Sequence, residues 1–178
     1  WRDTGTPFLV LTNNPFYTPR DLSARLRISG LEVPEERIWT SALATAAFLH
    51  QQKPGGSAFV IGEAGLLNAL YDAGITMNDV DPDYVIIGEG NTYNYENILK
   101  AVRLVLKGAK LIGANSDVSG PIECGIAPAC RALIAPIEMA TGTQAEPSQG
   151  KRKQCSTASR RRVRSCCGDE LVFEKPAT

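Results

Sequence analysis

Short continuous apolar runs alternate, over the first 142 residues, with stretches whose apolar positions recur every three or four residues. The run "PFLVLT" (7–12) has the uninterrupted character of a strand buried on both faces. "NNPFY" breaks it, and Thr18-Pro19-Arg20-Asp21 then predicts a helix start: Thr18 as N-cap, Pro19 in the first turn, and an acidic residue three after the cap. Leu22 and Leu26 share a face of this helix, and Gly30 supplies a stop. Ser41 is the expected cap of a second helix, "ALATAAFLHQQ", ended by Lys53-Pro54-Gly55-Gly56. The alternation then continues with a strand over 57–62, a helix over 63–74, a strand over 83–88, a helix over 93–108, a strand over 110–115 and a helix over 132–142. In the 93–108 helix Ile98, Ala101, Val102, Val105 and Leu106 form the expected apolar stripe. Strands joined so regularly by helices imply a parallel sheet and an α/β fold.

The pattern ends near residue 145. Beyond it the chain offers no helical apolar face and no strand signal before "ELVF" (170–173). Charge changes at the same place. Residues 1–145 hold 11 Lys+Arg against 15 Asp+Glu, and residues 146–178 hold 8 against 4, so the overall balance of zero conceals a basic tail. Such a composition favours a solvated, disordered segment. Otherwise the 178 residues, 43% hydrophobic and 21% charged, suit a globular chain able to bury one sizeable core.

Candidate chemistry narrows the picture further. The five cysteines lack metal-ligand spacing and His50 is the single histidine, which argues against a zinc site and for free thiols. No apolar stretch approaches the ~20 residues a membrane helix needs. The start of the sequence has no basic-then-apolar leader pattern, so a cytoplasmic location is expected. "GEGNTY" (88–93) follows a strand and precedes a helix but lacks the third glycine of a dinucleotide turn. "DVDPDY" (79–84) lacks the glycine and the terminal glutamate of a calcium loop. The Arg160–Arg164 cluster has no interleaved aromatics, which argues against nucleic acid as a partner. "DTGT" (3–6) has no second Asp-Thr-Gly to complete an aspartic-protease pair, and reads as the end of a helix before the first strand.

Taken together, "PFLVLTNNPFYTPRDLSARLRISGLEVPEERIWTSALATAAFL", "AFVIGEAGLLNALYDAGI", "PDYVIIGEG", "YNYENILKAVRLVLKGAKLIGANSDVSGP" and "GIAPACRALIAPIEMATG" resemble, in order, the phosphatases of the haloacid dehalogenase superfamily. The subgroup is the NagD-like one that includes nitrophenyl-phosphatase-like enzymes. The resemblance implies part of a Rossmann-like core over residues 1–40, an inserted α/β cap over 41–142 and a divergent tail over 143–178. It also implies hydrolysis of small phosphate monoesters, nucleotide or sugar phosphates, through an aspartyl-phosphate with Mg²⁺.

By that resemblance Thr12 holds phosphate oxygens, and Asn13 and Asn14 face phosphate and substrate. Asn115 and Asp117 lie where the cap faces the active site. Lys151 falls near the family's charge-neutralising lysine, with Arg152 where the family has proline, and Asp169 near its metal-binding aspartate. No Asp-x-Asp-Gly nucleophile segment occurs in the chain, so on its own it is expected to be inactive. The 7–12 strand is expected to keep exposed edges and to favour association. The alternative is a noncatalytic cap module for homodimerisation or ligand binding, with a small phosphorylated metabolite and a second copy as the candidate partners.

Overall fold

The computed structural model of the chain describes residues 8–122, 124–147 and 171–174. In chain order the elements are β1 (Phe8–Thr12), α1 (Pro19–Ile28), a single 3-10 turn (Glu35–Arg37), β2 (Ile38–Thr40), α2 (Ser41–Gln52), β3 (Ser57–Ile61), α3 (Ala64–Asp72) and β4 (Thr76–Met77). They continue with β5 (Tyr84–Ile87), α4 (Tyr95–Leu106), β6 (Lys110–Gly113), β7 (Ser119–Ile122), β8 (Gly125–Pro128), α5 (Cys130–Thr141), β9 (Glu146–Pro147) and β10 (Leu171–Glu174). The expected tail disorder, Lys151 and Asp169 lie outside the described residues.

The chain has a mixed α/β architecture with two principal sheets. One is parallel throughout, ordered β4-β3-β5-β6-β9. Its central strand β5 is buried along its whole length, as the apolar run 83–88 requires of a strand covered on both faces. Successive side chains of β5 serve opposite faces. Ile86 joins Ala42, Leu49, Leu66 and Leu70 beneath α2 and α3. Val85 and Ile87 join Ala101, Val105, Ile134 and Ile137 beneath α4 and α5. Helices on both faces thus give the sheet two apolar layers.

The second sheet is smaller, ordered β10-β1-β2. β2 runs parallel to β1, with Thr12 opposite Thr40, and β10 runs antiparallel to it, with Val10 opposite Val172. The expectation of bare edges on the 7–12 strand is therefore corrected: both edges of β1 are paired. β2 is too short to leave a periodic signal. β9 also forms where "AEPSQ" promised no strand, because an edge position tolerates the missing N–H of Pro147.

Two helix details also differ from expectation. Thr40, not Ser41, caps α2, accepting from the Leu43 N–H at 3.2 Å. On α4 the buried residues are Ala101, Leu104 and Val105, with Ile98 and Val102 packed alongside, while Leu106 is 64% exposed. The helix turns slightly further than the stripe chosen from sequence, so Leu104 takes the core position. No described helix is long and apolar enough to cross a membrane.

Candidate functional site

Thr12 ends β1, Thr40 ends β2, Glu89 follows β5 by two residues and Asn115 follows β6 by two. In open α/β sheets the carboxyl ends of strands are where ligands bind, because the connecting loops diverge there and leave a crevice. Here the carboxyl ends of both sheets converge on one another. A cavity of about 50 Å³ opens between them, lined by Thr12, Asn13, Trp39, Ser41, Asn115 and Ser116 among others.

Local turn chemistry sets the β1 side. The Thr12 hydroxyl accepts the Asn14 N–H at 3.2 Å, which leaves the hydroxyl hydrogen free to donate outward. The Asn14 carboxamide oxygen accepts the Phe16 and Tyr17 N–H groups, both at 2.9 Å, closing an Asx turn. Pro15 within this turn is buried. The chain therefore leaves β1 in a fixed direction, with Asn13 at the rim.

Asn13 is held from three sides. Its carbonyl accepts from the Ser41 hydroxyl at 2.8 Å and from Asn115 Nδ2 at 3.0 Å, and its own Nδ2 donates to the Asp117 carboxylate. Asn115 is 8% exposed and satisfied at both ends of its amide. Its Nδ2 also donates to Glu89 Oε1 at 2.8 Å, and its Oδ1 accepts the Asp117 N–H at 3.0 Å. The Arg131 N–H donates to the Asp117 carbonyl at 2.9 Å, tying this loop to the start of α5. The Cys130 thiol, fully buried, lies 3.8 Å from Glu89 Oε1. Burial, with the Glu89 charge adding to it, pushes that thiol up to about 12, so it stays neutral and can donate.

Of the residues picked from sequence, Thr12, Asn13, Asn115 and Asp117 are brought together at one place. Asn14 is adjacent, with its carboxamide oxygen spent on the turn. Sequence reasoning missed Glu89, Ser41, Trp39 and Cys130 as members of this site. Glu89 sits in "GEG", read only as a failed dinucleotide turn, and Ser41 was assigned to helix capping. Trp39 Nε1 is a buried donor with no hydrogen-bond partner among the described residues and belongs to a residue lining the cavity. No group of three or more His, Cys, Asp or Glu side chains suited to a metal ion occurs among the described residues. The described residues therefore do not by themselves make a Mg²⁺ site.

A family model described as haloacid dehalogenase-like hydrolase matches residues 1–76. Dihydroxyacetone phosphatase of Corynebacterium glutamicum is 52% identical over 142 residues, covering 80% of this chain and 52% of that protein. Ribonucleotide monophosphatase NagD of Escherichia coli is 45% identical over 140 residues, covering 79% and 54%. The solved structure of NagD aligns with a TM-score of 0.74 at 42% identity, over 83% of this chain and 57% of that one. A glycerol phosphate phosphatase from Mycobacterium tuberculosis, solved with magnesium, aligns with a TM-score of 0.74 at 27% identity, over 79% and 44%. The chain belongs to the haloacid dehalogenase-like hydrolases, in their NagD-like branch. It spans about half the length of the curated relatives it matches.

Proposed function

We propose that the chain supplies the phosphate-holding edge and the cap of a phosphatase that hydrolyses small phosphate monoesters, sugar or nucleotide phosphates, through an aspartyl-phosphate. The observation that carries this reading is the meeting of Thr12-Asn13 with Asn115 and Asp117 at the carboxyl ends of the two sheets. Residues 1–40 are the core portion, 41–142 the cap and 143–178 a divergent tail. The start of α2 at Ser41, directly after the second sheet's β2, supports that division.

Within this arrangement the Thr12 hydroxyl, which accepts the Asn14 N–H, turns its hydrogen to a phosphate oxygen and donates to it. Asn13 orients the rim, Asp117 presents a carboxylate to the alcohol portion of the ester, and Asn14 shapes the turn. A divalent ion, as in the magnesium-bound relative, would offset phosphate charge in the whole enzyme. No group of His, Cys, Asp or Glu among the described residues supplies its ligands.

Since the chain has no Asp-x-Asp-Gly segment, it is expected to bind phosphate without turning esters over. Inorganic phosphate titrated against a Trp1→Phe background should change Trp39 fluorescence saturably. Thr12→Ala should weaken that binding by about tenfold, the loss expected for one hydrogen bond to a charged group. With Mg²⁺ and p-nitrophenyl phosphate, neither protein should release nitrophenol above the other. Thr12-dependent turnover, or an unchanged phosphate affinity in Thr12→Ala, would defeat the proposal.

A further inference from the structure

Glu89 is not among the residues that line the cavity with Thr12, yet its carboxylate accepts from Asn115, the residue that does the bridging. Asn115 reaches Asn13 through Nδ2 and the Asp117 N–H through Oδ1, so the clamp works with only one orientation of its amide. A carboxamide has donors at one end and an acceptor at the other, and rotating it by half a turn exchanges them. Something must select the orientation. An ionised carboxylate is acceptor-only, so a carboxylate beside Nδ2 rejects the rotated amide, whose oxygen would face it.

We infer that Glu89 is a positioning residue for phosphate binding: its carboxylate, 2.8 Å from Asn115 Nδ2, fixes that amide and through it the backbone carbonyl and side chain of Asn13. The inference rests on the reading of Thr12-Asn13 as a phosphate-holding edge. Its geometry is supported from behind. The strand end carrying Glu89 is pinned by the Gly88 N–H donating to the Ile61 carbonyl at 2.7 Å. The same Oε1 receives the buried Cys130 thiol at 3.8 Å, at the first residue of α5, where the positive end of a helix favours a negative charge. The Asn115 amide acts on Asn13 twice, once through the carbonyl it bonds directly and once by setting the Asp117 carboxylate that receives Asn13 Nδ2.

The test uses the full chain with inorganic phosphate as ligand and the side-chain amide NMR signals of Asn13 and Asn115 as a second readout. Glu89→Ala removes the acceptor. Glu89→Asp keeps the charge but withdraws it by one methylene, and serves if the alanine variant does not fold. Glu89→Gln keeps the size but offers a donor as well as an acceptor, so it no longer rejects the rotated Asn115 amide. Ala and Asp should weaken phosphate binding by about tenfold and shift the Asn13 and Asn115 signals even without phosphate, and Gln should show the same loss to a smaller extent, because its amide accepts from Asn115 in only one of its own two orientations. Parental affinity in Glu89→Ala or Glu89→Asp, or weakened binding with unmoved Asn13 signals, overturns the inference and leaves the phosphate-binding reading intact. A parent chain that binds no phosphate overturns that reading and this inference with it.

Discussion

Gly65, the second residue of α3, lies directly against the loop after β1. Its N–H donates to the Phe16 carbonyl at 3.0 Å. A Cβ built at this position would stand 2.5 Å from the Tyr17 carbonyl oxygen and 2.8 Å from the Phe16 carbonyl carbon. These are backbone atoms, so no side-chain rotation relieves the clash. Gly65→Ala must push the 13–17 loop away from α3, and overpacking of this kind costs about 1–3 kcal/mol. Urea denaturation should show a lower midpoint at unchanged slope, because the same surface is still exposed on unfolding. The loop also carries Asn13, so phosphate affinity should fall in the same variant. An unchanged midpoint would mean that the loop does not rest on α3 in solution.

At the scale of elements, α1 stands apart because it buries none of its residues. Packing therefore does little to hold it, and its ends matter more than for α2 to α5. The Thr18 side chain accepts from the Asp21 N–H at 3.1 Å, and the Asp21 carboxylate accepts from the Thr18 N–H at 3.2 Å and from its hydroxyl at 2.7 Å. Those bonds to Thr18 hold the Asp21 carboxyl below its usual range. Arg25, in the last turn, lies 4.5 Å over the Tyr17 ring. Thr18→Ala should cost about 1 kcal/mol. Because α1 can open without the core, the cost should appear as faster amide hydrogen exchange in residues 19–28 with little change in the exchange of β5. Equal acceleration in both would show α1 and the core unfolding as one unit.

This capping box was legible in the sequence because it is written in contiguous residues. So were β1, β3, β5, β6 and the helices between them, whose periodicity and flanking breakers are local. β2 and β9 were not: two- or three-residue strands exist only because a neighbour supplies the ladder. The same limit applies to the site. Thr12 and Asn13 could be found from a family pattern in one segment. Glu89 became visible only when folding set it against Asn115, 26 positions away.

At the scale of the whole molecule, polar contacts centred on Asn13 join the carboxyl ends of the two sheets. The Thr45 hydroxyl, buried in α2, donates to the Ser41 carbonyl at 2.8 Å and approaches the Ala114 carbonyl at 3.4 Å, holding the start of α2, which directly follows β2, to the end of β6. Such a junction holds its shape only if β1 itself is held, and β1 is short. One edge of β1 is paired by β2, and the other is paired by β10 from the far end of the chain. A parallel or antiparallel edge left open would present unpaired N–H and C=O groups to any other strand, including that of a second copy. Of two consecutive residues in an antiparallel strand one N–H faces the partner, so the double variant Val172→Pro/Phe173→Pro removes a donor to β1 opposite Val10 and Leu9, a loss that an edge strand absorbs only where the N–H faces solvent. We expect the variant to keep the five-stranded sheet, with its exchange-protected β5, but to expose the β1 edge. Sedimentation velocity over a range of concentrations should then show a larger mass-averaged coefficient than the parent, rising with concentration. Phosphate binding should weaken in parallel, because Thr12 ends the strand whose pairing is lost. If sedimentation and phosphate affinity both match the parent, β10 is not what closes the β1 edge, and the assignment of that pairing as a support for the site fails.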